Sequence, residues 1–176
     1  MYMSQLRKPE LWLVVFVGLC ISQVAVAAIQ VELVVDTSTA TPTLQVVSNS
    51  SACAGGPVDC ISVAKFTKPN IRFLLEDACE LDGPDYRLTQ IRVGMIDKVW
   101  PTPANPLWAA VASDFHADAD TGVVDLTAGK NKLADDRIKF KNKNSADYMV
   151  FYEITAMECG GTGKITLDPR IRNYGK

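Results

Sequence analysis

The sequence predicts an all-β chain: an antiparallel β-sandwich, Ig-like or Greek-key, of about eight strands with two disulfides. Short apolar runs alternate with turn-forming clusters, no stretch keeps a long 3.6-residue period, and four cysteines follow a segment that reads as an export signal. The 176 residues are 48% apolar and 22% charged, with a net charge of -2. That composition supports one globular core. It excludes a collagenous repeat, a long disordered tail and a polybasic nucleic-acid binder.

Arg7 and Lys8 precede an apolar run of 11 residues, 11–21, and Ala25-Val26-Ala27 supplies the small residues of a cleavage site. Residues 1–28 therefore read as a secretory signal peptide, with a single domain over 29–176. The apolar run is shorter than the roughly 20 residues a spanning helix needs, and no second run of that length follows. Removal of Arg7, Lys8 and Glu10 with the signal leaves a net charge of -3. The expectation is a soluble periplasmic or secreted protein with no membrane span and no nucleic-acid partner.

Along the remaining chain, Ile29-Gln30-Val31-Glu32-Leu33 alternates apolar and polar residues, the period of a half-buried strand. Leu44-Gln45-Val46-Val47 resumes extended structure after a turn cluster, so the two runs form a candidate hairpin. Strands follow over 61–66 and 71–75, divided by Lys68-Pro69-Asn70. Asp82-Gly83-Pro84-Asp85 is a turn, and residues 88–96 set Ile91, Val93 and Met95 on one face. The three prolines of 97–108 exclude a core strand there, and a short helix is expected over 107–113. Asp120-Thr121-Gly122 turns the chain into a strand over 123–126. Further strands are expected over 137–143, 148–156 and 164–167. The run 148–156 is almost continuously apolar, as in a strand covered on both faces.

Cys20 leaves with the signal, and Cys53, Cys60, Cys79 and Cys159 remain; four cysteines allow three pairings. Cys53 and Cys60 bracket a short Gly-Gly-Pro loop that closes cheaply, while Cys79 and Cys159 each stand at a strand end. The expected bridges are Cys53–Cys60 and Cys79–Cys159, the second tying neighbouring strands. A zinc site is disfavoured, because no C-x-x-C spacing occurs and His116 is the single histidine.

Three clusters carry possible chemistry. Asp114, Asp118 and Asp120 are closely spaced carboxylates of the kind calcium requires, which makes them candidate metal ligands; no cofactor is expected, with calcium the alternative. The EF-hand register fails at Gly122, however, and a polar loop entering a hairpin is the favoured reading. Arg137, Lys139, Lys141 and Lys143 alternate with Ile138, Phe140 and Asn142, so an extended chain lines all four cations on one face. Such a stripe either docks phosphate, sulfate or an acidic glycan, or is a charged edge that blocks aggregation. The edge is favoured. Trp100 and Trp108 bracket the proline loop and are candidates for a contact surface; the competing reading folds one indole back as a lid on the sandwich.

The ending Ile165-Thr166-Leu167-Asp168-Pro169-Arg170-Ile171-Arg172-Asn173 resembles the D-P-x-I-x-N tail of small bacterial β-proteins called the DP-EP group, and Gly122-Val123-Val124-Asp125-Leu126 is compatible with it. The resemblance implies a small β-fold and assigns no activity. Fimbrial subunits share export, a disulfide and a late tyrosine, here Tyr174, but Pro169 breaks the alternation expected of their final strand. No Gly-x-Ser-x-Gly elbow, P-loop or H-E-x-x-H motif occurs, and no residue is assigned as catalytic. The leading expectation is an exported non-catalytic β-sandwich that binds or assembles with a protein or glycan outside the cytoplasm. The alternatives are a carboxylate- or calcium-assisted hydrolase and a pilus or surface-assembly subunit.

Overall fold

A computed structural model of the chain describes residues 27–76, 78–80, 85–95 and 105–175. Within them lie β1 (Ile29–Asp36), β2 (Thr43–Asn49), β3 (Cys60–Val63), β4 (Asn70–Leu75), β5 (Tyr86–Met95), α1 (Trp108–Phe115), β6 (Lys132–Ala134), β7 (Arg137–Lys141), β8 (Asp147–Glu158), β9 (Lys164–Leu167) and β10 (Arg170–Tyr174). One sheet has the order β2-β1-β4-β7-β6. The second has the order β3-β10-β8-β5, with β9 also paired to β8.

The protein is all-β, as expected, but its sheets are mixed. β1 and β2 form the expected antiparallel hairpin, whereas β4 runs parallel to β1 and β3 runs parallel to β10. The cause is the connection: after β2 the chain crosses to the second sheet to place β3, then returns to lay β4 beside β1. Ten strands occur among the described residues rather than eight. The added pair is β6, too short to show alternation, and β10, whose polar composition hides a strand. The strand expected over 123–126 is absent; Val123 and Val124 each make one isolated bridge, to Arg92 and Ala117.

Both sheets bury one face in a shared core. Val31, Ile71, Phe73, Ile138 and Phe140 come from the first sheet, and Ile91, Val93, Tyr152, Ile154 and Ile171 from the second. The Phe73 and Tyr152 rings meet between the sheets, 5.1 Å apart. α1 plugs one end, setting Phe115 against Phe140 and Tyr148 at 5.8 and 6.4 Å. β8 buries side chains on both faces, Phe151 and Thr155 included. β9 and β10 lie one after the other along the same side of β8. Pro169, which has no N–H to donate, sits at the break between them, and its carbonyl accepts from the Tyr152 amide at 3.1 Å.

The two disulfides join Cys53 to Cys60 and Cys79 to Cys159, with Cα separations of 5.4 and 5.7 Å. The first closes the loop that enters β3. The second ties the segment after β4 to the end of β8. Those strands belong to different sheets, so this bridge links the sheets rather than neighbouring strands. Most of the expected signal, residues 1–26, lies outside the described residues, as do 82–84 of the expected turn and 97–104 of the proline loop. Among the described residues no helix is long and apolar enough to cross a membrane.

Non-reducing peptide mapping of the oxidised protein should recover Cys53–Cys60 and Cys79–Cys159. Replacing Cys79 and Cys159 by alanine should lower unfolding free energy by about 4 kcal/mol, as the loop-entropy model gives for so long a closure. A peptide joining Cys53 or Cys60 to Cys79 would contradict this arrangement.

Candidate functional site

The carboxylates of 114–122 do not converge. Asp114, on α1, is 1% exposed and points inward. Its Oδ2 accepts from the Tyr148 hydroxyl and the Ser145 amide, both at 2.7 Å. Asp118 closes its own turn: Oδ1 accepts from the Thr121 hydroxyl at 2.7 Å, the Thr121 amide at 2.8 Å and the Asp120 amide at 3.1 Å. Those bonds, the Thr121 hydroxyl first, hold the Asp118 carboxyl below the ordinary carboxylate range. Among the described residues no group of three or more His, Cys, Asp or Glu side chains is placed to hold a metal ion. Asp114, Asp118 and Asp120, the candidate calcium ligands, are thus not brought together in one group. His116 is the left-handed residue that ends α1, and its carbonyl accepts from the Asp125 amide at 2.9 Å.

Beside Asp114 lies a buried amide cluster that the sequence reading passed over. Asn142 and Asn173 pair reciprocally, Asn142 Nδ2 to Asn173 Oδ1 at 2.8 Å and Asn173 Nδ2 to Asn142 Oδ1 at 3.3 Å. Asn144 Nδ2 donates to the carbonyls of Ala64 and Thr67 at 2.9 and 3.1 Å, and its Oδ1 accepts from the Gly175 amide at 3.2 Å. Gly175 adopts φ +68°, and a Cβ there would lie 2.6 Å from the Asp147 amide nitrogen, so this close approach requires glycine. The clamp also holds Phe66, 79% exposed, in the left-handed region at φ 59°. Burial first, and then Asp114, push the Tyr148 phenol far above its ordinary range. Burial does the same to Tyr152.

Trp108 is 4% exposed, and its Nε1 donates to the Ala119 carbonyl at 2.7 Å. It is a lid, not a contact surface; Trp100 lies outside the described residues.

The cation stripe is reorganised by register. β7 is not an edge, because β6 pairs along its outer side. Ile138 and Phe140 face the core, so Arg137, Lys139 and Lys141 occupy the opposite face. Lys143 leaves the row beyond β7: its amide donates to the Asp114 carbonyl at 3.1 Å and its Nζ approaches Ser113 Oγ at 3.4 Å. In its place the sheet brings two residues the sequence reading did not select. Arg72 on β4 is opposite Lys139, and Lys132 on β6 is opposite Lys139 from the other side. Arg72, Lys132, Leu133, Ala134, Arg137 and Lys139 line a hollow of about 300 Å³. Arg137 pairs with Asp136 at 3.3 Å. Arg72 Nε is buried without a hydrogen-bond partner.

Compared with protein-family models and with curated proteins, the chain matches none.

Two stability measurements check this geometry. Tyr148 and Tyr152 stay protonated in the fold past the pH near 10 at which unfolded tyrosine ionises. Their contribution is therefore whole below that pH and is lost as pH rises above it. Urea midpoints should fall above pH ~10, and Tyr148→Phe should flatten that fall while costing about 1–3 kcal/mol at neutral pH through the donor Asp114 loses. Trp108→Ala should cost about 3–5 kcal/mol, and in a Trp12→Phe, Trp100→Phe background the Trp108 emission should resist iodide. Free quenching of Trp108 would refute the lid.

Proposed function

We propose that the protein is an exported, non-catalytic β-sandwich that acts by binding outside the cytoplasm, in the periplasm or the surrounding medium. The observation that carries this reading is the division of polar groups. Asp114, Tyr148 and the buried asparagines are turned on one another inside the fold, while positive charge collects over a hollow on one sheet face. The first group reads as construction and the second as a ligand face. Two disulfides suit an oxidising compartment, which agrees with residues 1–28 as a signal peptide. Two sheets sharing one core suit a sandwich. The break at Pro169 and the buried Asn173 give the D-P-x-I-x-N tail a structural task, so the DP-EP resemblance is taken as one of fold.

Chromogenic ester, phosphate-ester and glycoside substrates should show no turnover above buffer. Turnover abolished by His116→Ala or Asp118→Asn would overturn the non-catalytic reading. Calorimetry with calcium should show no saturable heat, and chelator should leave the melting temperature unchanged; a chelator-sensitive melt would restore the calcium alternative.

A further inference from the structure

We infer that the hollow over β4, β7 and β6 binds a sulfated or phosphorylated glycan, with Arg72, Lys132 and Lys139 as the anion-contacting residues and Arg137 at the rim; this rests on the binding reading above.

The register itself calls for an anion. Cross-strand pairing sets Arg72, Lys139 and Lys132 side by side across three strands. Like charges directly opposite each other destabilise a sheet, and among the described residues none of the three forms an ion pair. A bound oxyanion turns that repulsion into attraction. Arg72 Nε supplies an independent sign: it is a buried donor with no acceptor, on a residue that lines the hollow. A guanidinium offers paired N–H groups that match sulfate or phosphate oxygens, and the lysines add point charges on either side.

The shape narrows the ligand. Three adjacent strands span about 10 Å between the outer two, more than one oxyanion covers, so the row suits a chain with several anionic groups. No carboxylate lines the hollow. The nearby acids are engaged elsewhere, Asp136 with Arg137 and Glu32 with Gln30, whose amide donates to it at 3.2 Å. No aromatic side chain lines the hollow either, so stacked bases find no platform there. Leu133, 47% exposed, is the single large apolar side chain in the lining, too little to enter a lipid surface.

The test uses the exported, disulfide-bonded protein titrated with dextran sulfate, uncharged dextran, inorganic phosphate, a single-stranded oligonucleotide and phosphatidylglycerol vesicles. Dextran sulfate should bind, raise the melting temperature and lose affinity as salt rises. Arg72→Gln and Lys139→Gln should each weaken binding about tenfold without lowering the ligand-free melting temperature, because each removes a repulsion. Arg72→Lys should give an intermediate loss, and Lys143→Gln none. No binding of dextran sulfate would overturn the inference, as would an equal loss in Lys143→Gln, which means diffuse charge. Tighter binding of vesicles, oligonucleotide or free phosphate would replace the glycan with that class. Release of sulfate from the probe would instead refute the non-catalytic reading and leave the site standing.

Discussion

The passage of the chain from one sheet to the other, between β7 and β8, is held by buried side-chain amides. Asn142 ties this passage to Asn173 on β10, and Asn144 ties it to the turn after β3. Asp114 adds the end of α1 through the Ser145 amide and the Tyr148 hydroxyl. Four separate segments thus meet at one polar cluster, and any amide left without its partner there costs about 1–3 kcal/mol. Apolar packing alone would let the two sheets slide; directional bonds fix where each strand stops.

That constraint reaches the cation row. The Asn142 backbone N–H donates to the Pro69 carbonyl just before β4, and the backbone N–H of Lys141, the last residue of β7, donates to the Asn131 side-chain Oδ1. The strands of the charged sheet are therefore aligned from the amide cluster end. Alignment is what sets Lys139 between Arg72 and Lys132, and a one-residue slip would turn the lysine toward Phe73 and the core.

Much of the scaffold was legible in the sequence because alternation is a local signal. β1, β2, β4 and β5 each carry it, β8 stands out instead as an almost unbroken apolar run, and the cysteine spacing carried the disulfide pairs. Strand direction was not legible, since a half-buried strand alternates identically in parallel and antiparallel pairs. The cation row was half legible: Lys139 stood out by its spacing, but Arg72 lies far away in sequence and only register brings it near. Lys143 shared the alternation and lost it where the polar cluster bends the chain. Asn142 looked like a spacer among cations, because an amide gives no local mark of burial. Asp114 looked like a ligand because it neighbours other carboxylates in sequence, while the end of α1 turns it into the core.

The Cys79–Cys159 bridge also decides how the protein answers mechanical load. Tension applied through the two ends of the domain passes across that covalent link, so β5, α1, β6, β7 and β8 form a closed ring that cannot lengthen. The strands free to peel are β1 to β4 at one end and β9 and β10 at the other. The cation row straddles this boundary, with Lys132 and Lys139 inside the ring and Arg72 outside it. Pulling on the chain therefore takes the arginine from the lysines before the ring gives way, and the cation row is dismantled by force well short of complete unfolding.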